Sequence, residues 1–300
     1  MKQVRVAALH NCYLHYSKRY LPSKINFMKR ILFVSAGSEF PKGAMSFLQL
    51  LQQHEPLSAF GLFFDSVDLT LMASASHIPG TAIYDRLKAR ERNISEINKT
   101  EFSMGCEKFY IKYHIHPSEG EWDKDIFARE SRFSDLIILS GEAFFSDITP
   151  GQPNPFLQEA LHAAECPVMI LPENFVEFQH VVIAYDGSKD SLFALKQFCY
   201  LFPRFTDLPT EVVYVRDENS GEIPDIDVLR QYTRLQFQSL NFSKLHFKAA
   251  RYFATWIGEK DKTLLVSGSF GRSPFSYVAK QSFAEQVIHD HKMPIFIAHT

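Results

Sequence analysis

The chain is 300 residues long, enough for about two domains of ordinary size, and its 46% hydrophobic content against 22% charged residues lets each half bury a full core. A formal net charge of −2 leaves no large basic surface and argues against nucleic acid as a partner. The four cysteines Cys12, Cys106, Cys166 and Cys199 lie far apart with no C-x-x-C pair, and no apolar run approaches the ~18 residues of a membrane span, so a zinc site, a disulfide framework and a membrane are disfavoured and a cytoplasmic protein is expected.

No acidic residue precedes Glu39, and Met28 stands just before the first apolar strand, so residues 1–27 read as an N-terminal extension that is dispensable to the fold. That first strand is Ile31-Leu32-Phe33-Val34-Ser35, closed by Gly37-Ser38. A second strand precedes residues 65–100, which contain the loop-like Ala73-Ser74-Ala75-Ser76 and Pro79-Gly80. His114 and His116 alternate along a later strand and share a face, but no Cys or acidic pair completes a metal set beside them. Lys124, Asp125, Arg129, Glu130 and Arg132 read as the solvated face of a helix. Apolar strands follow at Leu136-Ile137-Ile138-Leu139 and Val168-Met169-Ile170-Leu171, and the polar-biased residues 173–179 form a linker. Beyond a strand opening at Val181, helices are predicted over 190–202, 225–240, 252–258 and 282–291, alternating with strands over 211–215, 245–249, 264–266 and 295–298.

The chain also resembles itself. Ile31-Leu32-Phe33-Val34-Ser35-Ala36-Gly37-Ser38 aligns without gaps on Val181-Val182-Ile183-Ala184-Tyr185-Asp186-Gly187-Ser188. Leu136-Ile137-Ile138-Leu139-Ser140-Gly141 aligns on Thr263-Leu264-Leu265-Val266-Ser267-Gly268, and Cys166-Pro167-Val168 on Met293-Pro294-Ile295. The offset is 150 at the first match and 127 at the later two, so the first half carries about 23 extra residues, placed within 65–100. Continuous apolar strands between amphipathic helices predict a parallel sheet covered on both faces. The expected architecture is therefore α/β, with two doubly wound, Rossmann-like units at residues 28–173 and 180–300. Their closing strands are short and apolar, and should pair to cover each other's edges as an internal pseudo-dimer.

Ser267-Gly268-Ser269-Phe270-Gly271 closes a strand and Ser282 opens the next helix, an arrangement in which backbone N–H groups and a helix N-terminus can receive a phosphate. Neither the full Rossmann nor the P-loop glycine pattern is present. An Asp-Gly-Ser after the first strand, the G-x-x-G of Gly268 and Gly271 after the fourth, and Ser282 beyond it resemble the universal stress protein family, whose ATP-binding members carry G-x2-G-x9-G-[ST]. The resemblance covers nearly the whole chain from Met28, in two copies. It implies an adenine nucleotide alpha hydrolase-like fold and a site for ATP or another adenine nucleotide in the second unit. Asp186 would meet the adenosine end, Gly268, Gly271 and Ser282 would hold the phosphates with Arg272 of the same loop adding charge, and Gly187, Ser188 and Val215 would complete the nucleotide-binding set. Gln281 stands where the family has its third glycine, which implies weaker binding. The first unit has Ala36, Phe144 and Asn154-Pro155 at the corresponding places and keeps Gly141, so it is expected to hold no nucleotide.

Local structure explains the same residues without a ligand. Asp186, Gly187 and Ser188 can form a turn and cap a helix, and Ser282 with Glu285 makes an S-x-x-E capping box. Three functions compete with a nucleotide-binding stress protein. An ATP-consuming enzyme lacks an Asp or Glu in the segment from Gly268 to Ser282, and a phosphorelay receiver needs more strand-end acids than Asp186. A ligand-free interaction scaffold remains open.

Overall fold

The computed structural model describes residues 28–36, 39–64, 82–117, 122–140, 155–216, 222–246, 256–257, 259–268 and 293–300; residues 1–27, read above as an extension, lie outside these. In the first half the elements are β1 (Lys29–Ser35), α1 (Lys42–His54), β2 (Leu57–Phe63), α2 (Ala82–Lys108), β3 (Lys112–Ile115), α3 (Lys124–Arg132), β4 (Leu136–Ser140), α4 (Pro155–Ala163) and β5 (Val168–Leu171). The second half gives β6 (His180–Ala184), α5 (Lys189–Leu201), β7 (Thr210–Arg216), α6 (Ile226–Arg234), β8 (Leu240–His246), β9 (Thr263–Ser267) and β10 (Ile295–Ile297).

All ten strands form one sheet in the order β3-β2-β1-β4-β5-β10-β9-β6-β7-β8. Each half is a parallel five-stranded sheet with its first strand in the middle, and the second half repeats the first in reverse across the junction. The closing strands meet there antiparallel, with Phe296 opposite Met169. Pairing them removes two edges that would otherwise expose unmatched N–H and C=O groups.

The strands are apolar because both faces of the sheet are covered. Ile31 and Phe33 of β1 point into a core shared with α1, α2, α5 and α6, whereas Leu32 and Val34 point into a second core with Phe127 of α3 and Leu157 of α4. The first core runs across both halves. Phe47 of α1 packs its ring against Phe175, Phe178 and Phe202, and Phe178 packs on Phe205. Residues 173–179 are thus more than the polar linker predicted from composition: Phe175 and Phe178 are each 6% exposed, drawn inward because the two halves close around them.

Other elements depart from the sequence reading in instructive ways. The extra residues of the first half go partly into α2, which is 27 residues long where its counterpart α6 has 9. The helix predicted over 225–240 stops at Arg234, where the N–H groups of Gln236 and Phe237 turn back onto the Thr233 carbonyl and Phe237 enters the core. Strand β8 therefore starts at Leu240 rather than 245, paired with β7 from Thr210↔Leu240 onward. It is an edge strand with half-exposed polar residues, so it carries no continuous apolar run to betray it. Of the helix predicted over 252–258, residues 256–257 are described and helical, and the helix predicted over 282–291 lies outside the described residues. Glu130 is not on a solvated face, since it pairs with Arg30 at 2.6 Å. Burial pushes its carboxyl up, but the Arg30 hydrogen bond and charge, with His116 and Arg129, outweigh this and hold it below its ordinary value.

Cys106, Cys166 and Cys199 are free thiols. Burial, the main cause at each, pushes all three up to about 12. The thiolate is the reactive form, so at pH 8 the folded protein should react slowly with a disulfide reagent at these three positions and quickly once denaturant is added. Thiol titration with mapping of the labelled peptides checks this; fast labelling of any of the three in the native protein would contradict it.

Candidate functional site

In each half the chain leaves the first strand toward one side of the sheet and returns on the other, which opens a crevice between β6 and β9 in the second half and between β1 and β4 in the first. The β6–β9 crevice holds the described part of the predicted site. Asp186, Gly187 and Ser188 follow β6, Gly268 follows β9, and Val215 lies near the carboxyl end of β7, so all five sit along one edge of neighbouring strands. Gly271, Arg272 and Ser282, together with Gln281 and the Ser282–Glu285 capping box, lie outside the described residues.

The turn after β6 is tightly specified. Asp186 Oδ1 accepts the Ser188 N–H at 2.8 Å, a short Asx turn, and Ser188 Oγ accepts the Ser191 N–H at 3.1 Å to cap α5. Between them Gly187 has φ of +83°, a conformation that favours glycine. Pro224, in the loop before α6, packs over this turn: a Cβ on Gly187 would lie 2.8 Å from Pro224 Cβ. Tyr185 donates its hydroxyl to the Pro224 carbonyl at 3.2 Å. Burial, then the charges of Asp225 and Asp186, raise the Tyr185 phenol above its ordinary value, so it stays a neutral donor.

Gly268 has a steric role. A Cβ there would lie 2.2 Å from the backbone carbon of Asp190 and 2.2 Å from the nitrogen of Ser191, so β9 leads into its loop directly against the first turn of α5. Asp190 in that turn accepts from both the N–H and the hydroxyl of Thr300, at 3.2 and 2.8 Å. The crevice therefore brings together the Asp186 carboxylate, the backbone at Gly268 and a helix N-terminus, a set suited to hydrogen-bonding a polar ligand across the strand ends. Each described member also already makes a contact of its own.

The first half keeps less of this arrangement. Ala36 follows β1 where Asp186 follows β6, and Pro155 is the first residue of α4, a position that tolerates the missing N–H. Gly141, Phe144 and Asn154 lie outside the described residues. The sequence reading overlooked Glu173, which reaches the first-half crevice from the linker. The repeat offset of 127 offers the one signal for it, by placing Glu173 opposite Thr300. The two histidines are engaged separately: His114 of β3 packs its ring tilted against Phe60, and His116, just past the strand, faces Glu130 at 3.8 Å. Among the described residues no group of three His, Cys, Asp or Glu side chains is placed to hold a metal, and no helix is long and apolar enough to cross a membrane.

No family's sequence profile and no curated protein matches the chain. Solved structures do. A universal stress protein from Archaeoglobus fulgidus superposes with a TM-score of 0.69, covering 90% of this chain and 96% of that one at 18% identity. A functionally unknown protein from Pseudomonas aeruginosa matches with a TM-score of 0.54, covering 91% and 93% at 13% identity. Another protein from the same species, assigned to the universal stress proteins, gives 0.54 over 91% and 94% at 14% identity. Each of these superpositions runs through both halves, so the fold of this chain is that of the universal stress proteins, with the doubly wound unit present twice.

Proposed function

We propose that the chain is a tandem universal stress protein of the cytoplasm, which binds an adenine nucleotide weakly in its second half and acts through protein partners rather than by turnover. The paired halves take the place of a dimer of single units. The observation that carries this reading is the meeting of Asp186-Gly187-Ser188 and Gly268 at the β6–β9 crevice, the place where open α/β sheets receive ligands. The segment from Gly268 to Ser282 contains no Asp or Glu to serve as a base or hold a metal beside the phosphates, which favours binding over ATP consumption.

Titration calorimetry with ATP on the wild type, Asp186→Ala and Gln281→Gly tests it. One site per chain is expected. Loss of a charge-assisted hydrogen bond of roughly 1.5–3 kcal/mol should loosen binding about ten- to a hundredfold in Asp186→Ala, and Gln281→Gly should tighten it. Two sites per chain, or affinity unmoved by either change, would place the ligand elsewhere. A second reading, the ligand-free scaffold, is favoured by the turn, cap and packing contacts that Asp186, Ser188 and Gly268 already make. Absence of heat in all three proteins selects it.

A further inference from the structure

The two halves finish the helix after their first strand differently. In the second half capping is local, through Ser188. In the first half α1 begins after Pro41, which offers no side-chain cap, and the first turn contains no acidic residue. A carboxylate arrives instead from a position 131 residues away in the chain: Glu173 Oε2 accepts the Lys42 N–H at 2.9 Å. The Ser140 hydroxyl, at the end of β4 and 1% exposed, donates to Glu173 Oε1. The preceding residue presses in as well, since a Cβ on Gly43 would lie 1.9 Å from the Pro172 carbonyl oxygen.

We propose that Glu173 is a built-in anion: its carboxylate fills, from within the chain, the place beyond β1 and β4 where this architecture would receive a ligand's anionic group. It thereby closes the first-half crevice and fastens the linker to it. The partial positive charge of the α1 N-terminus and the buried hydroxyl of Ser140 both call for an acceptor at this point, and the linker supplies one. The repeat supports the assignment, because Thr300, opposite Glu173 in the alignment, meets the equivalent helix with the polarity reversed. There the tail brings the donors and Asp190 of the helix brings the carboxylate. The inference stands apart from nucleotide binding in the second half.

Chemical rescue on the full chain tests it. Melting is followed for the wild type, Glu173→Ala and Glu173→Gln, in chloride and in formate at matched ionic strength. The alanine variant should melt roughly 3–6 °C lower, as expected for a lost cap in a chain of this size, and formate should return about half of the loss. The wild type and the glutamine variant should not respond, because their side chains still occupy the place. Adding Ser140→Ala should cost clearly less in the Glu173→Ala background than in the wild type. Equal melting of Glu173→Ala and wild type, a formate response common to all three proteins, a loss that formate does not relieve, or strict additivity with Ser140→Ala would each overturn the proposal.

Discussion

Replacing Gly268 with alanine is expected to lower the unfolding free energy by roughly 3 kcal/mol, at the upper end of the cost of overpacking a rigid contact. The new methyl carbon would sit 2.2 Å from two backbone atoms of the first turn of α5, and no rotamer can move it away. Either β9 or the helix must shift, and β9 is held by β6 and β10 on its two sides. Gly105→Ala is the matched control. There the added methyl meets the Met45 side chain, with its Cε 2.8 Å away, which can rotate aside. The substitution also lies inside α2, where exchanging glycine for alanine favours the helix by about 1 kcal/mol. Urea midpoints should therefore fall sharply for Gly268→Ala and hold or rise for Gly105→Ala; equal midpoints for the two variants would show that β9 and α5 are not in rigid contact.

The second large effect concerns the junction of the halves. Phe47→Ala should cost about 3–5 kcal/mol, because a fully buried ring is removed from a cluster that includes the linker rings Phe175 and Phe178 and Phe202 of the second half. Since that core is continuous across the sheet, the damage should be felt by both halves although Phe47 belongs to the first. The chain's two tryptophans allow a direct check, with Trp122 in the first half and Trp256 in the second. In single-tryptophan variants both signals should report the same urea midpoint, and Phe47→Ala should move both together. A shift confined to the Trp122 signal would mean that the halves unfold independently.

Much of the fold was legible because local pattern carries it. Strands β1, β4, β5, β6, β9 and β10 are buried on both faces, which forces the short apolar runs by which the repeat could be aligned. The Gly-Ser punctuation after β6 likewise marks a turn that only glycine and a capping serine satisfy well. Strand β8 escaped, since an edge strand needs neither continuous burial nor a distinctive period. The end of α6 escaped for a related reason: Leu235 is apolar yet exposed, while Phe237, two residues on, is buried, and only the packing of the larger core distinguishes them. Of the candidate site, the positions of Asp186 and Gly268 at strand ends were legible from local pattern and their joining in one site from the family resemblance, but the close approach of Gly268 to α5 was not.

The amino-acid sequence by itself determined two copies of a doubly wound unit and the apolar closing strands whose edges pair, because these follow from hydrophobic period, turn chemistry and repetition within short segments, while the pairing of Asp186 with Gly268 in one crevice was legible through the family resemblance. Tertiary structure alone decided that Phe175 and Phe178 belong to the core, that Glu130 answers Arg30, and that Glu173 caps α1. Those outcomes depend on which segments meet across the folded chain, as with Glu173 and Lys42, 131 residues apart, and a single polar contact between two such side-chain and backbone groups does not alter the local hydrophobic pattern on either side.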